Sequence, residues 1–531
     1  MSKRVKACCV PGCTNKQAIR HSIPTNEDIC RIWLQRINNP KLMLADTVLS
    51  SHRICDIDFE PIYTNPGRLK KVSLLTLHLP GTLFAISDGM TYGWTSPMIP
   101  YLISPDSHIK TTKHEAEWLE TALLCGSLGG LPLTIYLVDK FGRKKSLLFA
   151  SITILIGWLL IALGDKMIYL FIGRFLCGMA GDMAFVACPM YMAEISDQKI
   201  RGFLSGMVYI MVHIGTLLVY CLGPYTPYYM TPLLGSFFVI TEVLVFYFMP
   251  ESPYYLLYKK KEKKARKALE FFKPYSNVDE EVIEITKMLE RESSQKGRFQ
   301  DLIFVKSNRK AITIMAVLNS GQHLCGYTVI LMNLHLILES AGSKYMDSSH
   351  AAIIFASIML IATGFSSLQV DKYGRRVLLM ISSILSGLCV LTLAVYFHLK
   401  YLNFNLGSVS WIPIVSVMVY ACVFKLGVGI VPIIVTAEIF PTNMKAIGMT
   451  MADAMFILGG ILAIQIYQIF SRTFHIFVPF YFFGAFGFFV AIFTFFFIPE
   501  TKGRSLDEIQ SILKGEPLQA IKGTKQQEAV L

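Results

Sequence analysis

The sequence predicts an all-α membrane protein with twelve transmembrane helices in two six-helix halves, preceded by a small segment of different character. Three observations predict this: an apolar, charge-poor composition, apolar runs of spanning length, and charged motifs that recur about half a chain apart. With 53% hydrophobic residues, 16% charged residues and a mean hydropathy of +0.48, the 531-residue chain is too apolar for a soluble enzyme of its length.

Spans are predicted near residues 74–99, 117–138, 146–164, 168–192, 203–223, 232–249, 311–338, 350–370, 377–397, 411–435, 446–470 and 477–498. Each is near the ~20 residues that cross a hydrocarbon core. Lipid offers no partner to an exposed backbone, so runs this long and this apolar read as helices; barrel strands are shorter and alternate. The stretch "FVPFYFFGAFGFFVAIFTFFFIP" has no polar face at helical spacing, which excludes a soluble core helix.

Lys and Arg crowd one set of alternate links. They include Arg68, Lys70 and Lys71, then Lys199 and Arg201, and above all "KKKEKKARK" from Lys259. The opposite links, around Asp165, Pro224 and Lys344, are poorer in basic residues, so the basic face and both termini are expected to be cytoplasmic. The net charge of +13 is then mostly topology, and a DNA partner is not expected from it. Of twelve Cys, seven lie in or at the edge of spans, which suggests small buried hydrophobes and no disulfide framework. With no secretory signal peptide in view, the first apolar span is expected to direct insertion.

Charged packets repeat. "DKFGRKK" from Asp139 returns as "DKYGRR" from Asp371, "YMAEISDQKIRG" from Tyr191 as "TAEIFPTNMKAIG" from Thr436, and "MPESPYYL" from Met249 as "IPETKGRSL" from Ile498. Offsets of this size mark an internal parallel repeat. The expected organisation is therefore residues 1–71 as a separate segment, 72–253 as the first half, 254–310 as a cytoplasmic helical linker, 311–500 as the second half and 501–531 as a cytoplasmic tail.

Taken in order, these motifs resemble the sugar porter branch of the major facilitator superfamily over about residues 72–515. Arg174 in "GRFLCG", Gln322 in "QHLCG" and Glu438 in "EIFPT" belong to the same series. "GWTSP" from Gly93 further resembles the insect facilitated trehalose transporter type. The resemblance implies a carrier whose halves rock about a midplane site, and a cytoplasmic gate of charge pairs that latches and releases. Its matching positions are Asp139, Arg143, Glu194 and Arg201 in the first half, and Asp371, Arg375, Arg376 and Glu438 in the second. Anchoring of topology is the plainer reading of the basic residues, but it explains neither the Asp and Gly of the packets nor the Glu partners. Lys445 stands where the first half has Arg201, which keeps the charge and loses bidentate pairing.

The same resemblance places substrate residues at Gln322, His323, Thr328 and Asn333 on the seventh helix, Tyr209 on the fifth and Ile433 on the tenth. The family presents Gln at 323 and at 209, and a sugar-stacking Trp at 433. Gln offers both donor and acceptor to a sugar hydroxyl and Ile offers neither. An altered or weak sugar specificity is expected. Proton-linked members carry an acid at the position of Thr91, so facilitated diffusion is favoured. Asp88, Asp182, Glu242, Lys425 and Asp453 nevertheless lie within spans, where charge is costly and points to function. His213, His323 and His335 also lie in spans, and one interhelical hydrogen bond each is the simplest account of them.

Residues 1–71 resemble a THAP zinc finger. Cys8 (or Cys9), Cys13, Trp33 and Cys55 match its pattern, while Asp58 stands where the last ligand, His, belongs. The resemblance implies zinc in this segment on Cys8, Cys13, Cys55 and Asp58, although structural zinc sites are built mostly from Cys and His. The transporter part implies no cofactor; its partners are a small sugar and membrane lipid, and its location a multi-pass plasma membrane protein. No P-loop, nucleophile elbow or metal pair occurs in the membrane part, so no enzyme is expected. Two alternatives stay open: a solute sensor that does not transport, and a DNA-binding module joined to a transporter.

Overall fold

A computed structural model of the chain describes residues 20–22, 53–55, 66–196, 201–273, 277–294, 300–441, 444–504 and 506–514. It divides into two units, 1–77 and 78–531. In the first, strands β1 (Arg20–Ser22) and β2 (Arg53–Cys55) pair antiparallel, with Arg20 opposite Cys55.

The second unit is helical. α1 (Pro66–Leu102), which belongs to this unit from His78 onward, α2 (Lys113–Phe141), α3 (Arg143–Leu163), α4 (Met167–Ile195), α5 (Arg201–Leu222) and α6 (Met230–Tyr247) form the first six crossings. Short helices α7 (Pro253–Tyr258), α8 (Glu262–Phe272), α9 (Val278–Ser294) and α10 (Asp301–Phe304) follow. The second set comprises α11 (Lys306–Leu324), α12 (Tyr327–Ala341), α13 (Ser348–Tyr373), α14 (Arg375–Tyr401), α15 (Ile412–Leu426), α16 (Val431–Ile439), α17 (Lys445–Thr473) and α18 (Phe477–Phe497), with α19 (Leu506–Lys514) last. Among the described residues ten stretches are long and apolar enough to cross a membrane. α1 and α5, whose apolar part is Gly206–Leu222, complete the twelve.

Two spans are broken where the sequence reads as continuous. The predicted span 311–338 divides between α11 and α12 at Gly326, whose φ of +95° ends one helix and starts the next. The predicted span 411–435 divides between α15 and α16, where Pro432 sits in the first turn of the new helix. Neighbours satisfy the freed backbone groups. Tyr420 of α15 donates its hydroxyl to the Cys325 carbonyl at 3.2 Å, and the Val428 N–H donates to Ser382 Oγ of α14 at 3.0 Å. Hydrophobicity alone hides such breaks, because a broken and an intact span are equally apolar.

Helices cross closely at glycines. A Cβ at Gly178 of α4 would stand 1.8 Å from the Leu123 carbonyl of α2, and one at Gly126 of α2 would stand 2.0 Å from the Phe175 carbonyl of α4. Small residues of this kind let backbones meet where lipid supplies no hydrophobic drive between helices. Gly178→Leu is expected to cost at least the ~1–3 kcal/mol of an overpacked core. It should lower the thermal unfolding midpoint of the purified chain in detergent by several degrees; an unchanged midpoint would show that this crossing can open without loss.

Candidate functional site

The repeated packets build two equivalent knots on one face of the bundle, called here the basic face. α3 and α14 start at Gly142 (φ +96°) and Gly374 (φ +89°). A Cβ on Gly142 would lie 2.5 Å from Glu251 Oε2, and one on Gly374 2.7 Å from Glu500 Oε2. The missing side chain is thus the space in which a carboxylate docks. Glu251 accepts from the Lys144 N–H at 3.0 Å and the Ser252 N–H at 2.9 Å. Glu500 accepts from the Arg375 and Arg376 N–H groups, each at 3.0 Å, and from the Lys502 N–H at 2.9 Å. Each Glu satisfies orphan donors of a helix start and sits at the positive end of its dipole.

The arginine of each packet then pairs with a glutamate of the neighbouring helix: Arg143 with Glu194 at 2.7 Å, and Arg375 with Glu438 at 3.0 Å. The second oxygen of each carboxylate accepts a hydroxyl, from Ser252 in the first half and from Thr501, at 2.6 Å, in the second. Both pairs close within their own half. Arg376 donates its guanidinium to the Phe495 carbonyl and lies 5.4 Å over that ring, and Asp139 is exposed at the end of α2. The side chains of Arg201 and Asp371 lie outside the described residues.

On the opposite face, hydrogen bonds tie the halves together. Arg472 of α17 pairs with Glu117 of α2, its Nε donating at 3.1 Å. Gln468 donates to the Glu117 carbonyl at 2.9 Å, and Gln465 to Thr121 Oγ1 at 2.8 Å. Ser96 of α1 and His335 of α12 share a hydrogen bond of 2.8 Å, and the Tyr220 hydroxyl of α5 donates to the Leu331 carbonyl of α12. A vestibule of about 600 Å³ on this face, lined by Pro97, Tyr101, His108, Tyr228, His335 and Glu339, ends at the Ser96–His335 contact. The molecule is sealed between its halves at this end.

The residues that the family pattern assigns to substrate fall in three places. Gln322, His323, Thr328 and Asn333 flank the break between α11 and α12 and are all buried. His323 Nδ1 is hydrogen bonded to the Thr328 hydroxyl, and its ring lies 4.1 Å from that of Phe456 on α17. Gln322 Nε2 and Asn333 Nδ2 have no hydrogen-bond partner. Tyr209 of α5 meets Phe185 of α4 edge to face at 5.5 Å, and Ile433 is half-buried on α16. Among the described residues no hydrogen bond joins Tyr209 or Ile433 to the α11–α12 group.

Of the other buried charges, Arg174, Glu242 and Lys425 acquire partners, whereas both carboxyl oxygens of Glu120 on α2 are buried without a hydrogen bond. Arg174 of α4 is fully buried and donates to the backbone carbonyls of Leu119 and Thr91, pinning α2 and α1 to α4. Glu242 accepts the Ser151 hydroxyl. Lys425 places its ammonium 4.8 Å over the Tyr327 ring, which stacks on Phe424 at 4.9 Å. The three histidines differ. Only His335 bonds across the halves; His213 bonds the Tyr209 carbonyl of its own helix, and His323 bonds within the broken seventh span. Sequence reading overlooked Glu117, Arg472, Gln465 and Gln468; their spacing in α17 at i, i+3 and i+7 was the available signal of a polar stripe.

In the N-terminal unit, Cys8, Cys13 and Asp58 lie outside the described residues, and Cys55 is described only as backbone of β2.

Twelve crossings in two sets, each with the same glutamate-capped knot on one face and a seal between the sets on the other, define a membrane transporter of the major facilitator type. The chain belongs to the sugar transporter family: the family described as Sugar (and other) transporter matches residues 75–513. It is similar to the facilitated trehalose transporter Tret1 of Bombyx mori, with 28% identity over 80% of this chain and 84% of that protein. It is also similar to the solute carrier family 2, facilitated glucose transporter member 6 of Homo sapiens, with 28% identity over 84% of this chain and 92% of that one. Its fold matches the inward open conformation of the xylose transporter XylE from E. coli, with a TM-score of 0.69, 21% identity, and 83% and 99% of the two chains covered. Residues 8–78 match the THAP domain family. Relatives and fold are those of transporters, and the chain is not an enzyme.

One consequence concerns Glu500, outside the spans. Burial raises its carboxyl, but the N–H groups of Lys502, Arg375, Arg376 and Thr501 outweigh burial and hold it below its ordinary value of 4.5. Its folded value being depressed, its contribution is complete above the ordinary Glu range and is lost as pH falls through the folded value. Wild type should therefore unfold at a higher temperature than Glu500→Gln at pH 7, with the gap closing as the pH falls below about 4. A gap that persists in acid would mean that shape, not charge, makes the cap.

Proposed function

We propose that this protein carries a sugar-like solute, a hexose or trehalose, across a membrane by alternating access, as facilitated diffusion. The observation that carries the reading is the combination of two internally braced halves with a seal between them of a few hydrogen bonds and one ion pair. Such a seal can part while each half stays intact. The basic face is cytoplasmic in this reading, because Lys and Arg retain the side on which they cannot be translocated. The knots at Arg143, Glu194, Arg375 and Glu438, with Asp139, Arg201, Asp371 and Arg376, form the gate region there. The working division is 72–253 and 311–500 for the halves, 254–310 for the linker and 501–531 for the tail, in a plasma membrane.

Gln322, His323, Thr328, Asn333, Tyr209 and Ile433 are the residues proposed to face the solute. Gln322 and Asn333 support the assignment by having amide donors without partners, a cost of about 1–3 kcal/mol each that a sugar hydroxyl would remove. His323 and Thr328 satisfy one another, so they offer fewer free groups than two amides would. Neither Tyr209 nor Ile433 restores the loss.

Labelled trehalose and glucose should enter cells expressing the full chain in a saturable manner. Entry should be unchanged in a version starting at Val72 and, with internal pH held constant, unchanged by an imposed pH gradient. Absence of uptake by a correctly inserted chain would favour the sensor reading. His323→Gln should raise hexose affinity by roughly tenfold, the equivalent of one recovered hydrogen bond of ~1–2 kcal/mol; an unchanged KM would remove His323 from the site.

For residues 1–71 we propose a THAP-like finger whose zinc site is weakened at Asp58, with Cys8, Cys13 and Cys55 as the remaining ligands. Zinc bound there would be structural, fixing the fold of the segment. The full chain should hold well under one zinc per molecule after dialysis, and Asp58→His should raise this toward one. Equal zinc in both would show either that the carboxylate suffices or that the segment is not a finger. A finger tethered to a membrane is kept from DNA, and no DNA partner is proposed.

A further inference from the structure

Lys425 lies in the last turn of α15 and is only 6% exposed. Its described partners are two aromatic faces: the ammonium lies 4.8 Å over the Tyr327 ring and 5.8 Å over that of Phe424. Among the described residues no hydrogen bond or ion pair reaches this ammonium. A cation inside a span is costly until something compensates it. Capping its own helix end is the plainest use for a lysine in a last turn. The carbonyls there are already served, however: Val423 accepts from the Ser382 hydroxyl at 2.7 Å, Phe424 from the Gly429 N–H at 2.8 Å and Lys425 from the Ser366 hydroxyl at 2.7 Å.

The place of this lysine in the fold says more. Tyr327 opens α12 directly after Gly326, and a Cβ on Gly429 would lie 3.0 Å from Lys425 Cδ, so the stem runs past the link that leads into α16. Lys425 therefore stands where both broken spans restart. No side chain caps either start, at Gly326 or at Ile430. The open N–H groups and the positive dipole end of a half-helix favour negative charge, as the ammonium does. The proposed solute residues adjoin this corner: Thr328 follows Tyr327, the His323 ring is 6.4 Å from the Tyr327 ring, and Ile433 lies in the first turn of α16. The unmet amides of α11 and α12, on Gln322 and Asn333, are donors too. The unmet carboxyl oxygens of Asp88, Glu120 and Asp453 lie on α1, α2 and α17, none of which carries Lys425 or its ring partners.

We propose that the carried solute is a sugar acid, a hydroxylated ring with one carboxylate. Lys425 and the uncapped starts of α12 and α16 hold the carboxylate, while Gln322 and Asn333 meet the hydroxyls. One lysine matches one negative charge; a phosphate ester carries about two and would leave one uncompensated. The proposal rests on the carrier reading of this site and adds charge to its solute.

The test follows labelled glucuronate and labelled glucose, separately, into proteoliposomes holding the purified full chain. Wild type should take up glucuronate with a KM at least about tenfold below that for glucose, the equivalent of ~1.4 kcal/mol in favour of the charged solute. Lys425→Gln, which removes the charge and keeps a polar side chain, should bring the two KM values to within about threefold of each other. Equal KM values in wild type, or a lower one for glucose, overturn the proposal without any variant. A preference for glucuronate that persists in Lys425→Gln overturns it as well. Uptake of glucose without glucuronate refutes the charge and leaves the sugar reading standing, whereas uptake of neither by a correctly inserted chain removes both.

Discussion

A carboxylate docked on the first turn of a helix, through a gap that only glycine leaves, is the contact on which each half depends. Glu251 reaches α3 past Gly142, and Glu500 reaches α14 past Gly374. The consequences follow in sequence. The docked carboxylate fixes the helix start, the start aims Arg143 or Arg375 at the glutamate of the adjacent helix, and that glutamate collects the hydroxyl that follows the docked residue. Three stretches of chain that are more than fifty residues apart close into one knot. The packet "DKFGRKK" and its echo "DKYGRR" occur twice because each half must be locked by itself.

Lipid imposes the complementary constraint. No backbone group in a span can be left to water, so the two broken spans survive only because Tyr420 and Ser382 come from neighbouring helices to meet them. Close crossings at Gly126 and Gly178 bring α2 and α4 near enough for Arg174, buried between them, to bond carbonyls on α1 and α2. Its charge is thus spent on backbone oxygen, where a soluble protein would use a carboxylate. The cation is a strut in this half, and its dense packing makes the half move as one body.

Much of this architecture is written locally. Spans announce themselves by twenty apolar residues, and the knots by residues whose types and order recur at a fixed offset, so twelve helices and a repeat could be read directly. The breaks at Gly326 and near Pro432 could not, because each leaves hydropathy unchanged and depends on a torsion that the neighbours permit. The seal was hidden for another reason. Glu117 and Arg472 are 355 residues apart, and each looks like an ordinary polar residue at a helix end until the halves are placed face to face. The substrate positions depended on the family pattern, and geometry adds what the pattern lacks: His323 is engaged by Thr328 while Gln322 and Asn333 keep unmet donors.

The contrast between bonds inside a half and bonds between halves bears on how such a molecule can cycle. Inside each half the contacts are charge-assisted, glycine-fitted and partly buried, and losing one partner strands the other in a dry place. Between the halves on the sealed face they are Gln to carbonyl, Tyr to carbonyl, Gln to hydroxyl, Ser to His and one ion pair at the rim, with Arg472 38% exposed. Each of these groups finds water once the face opens, so the net value of each bond is only the ~0.5–1.5 kcal/mol by which protein exceeds solvent as a partner. Stiff bodies joined by an interface of that kind have two arrangements of comparable free energy, and a small differential contact is enough to choose between them. In the proposed reading, a solute that met the unfilled amides of Gln322 and Asn333 would supply such a contact on one helix pair, α11 and α12, whose α12 end also carries His335 of the seal. On that reading, filling the site and loosening the seal would act on the same broken helix, whose kink lies at Asn333, where φ is −115° and ψ is 15°.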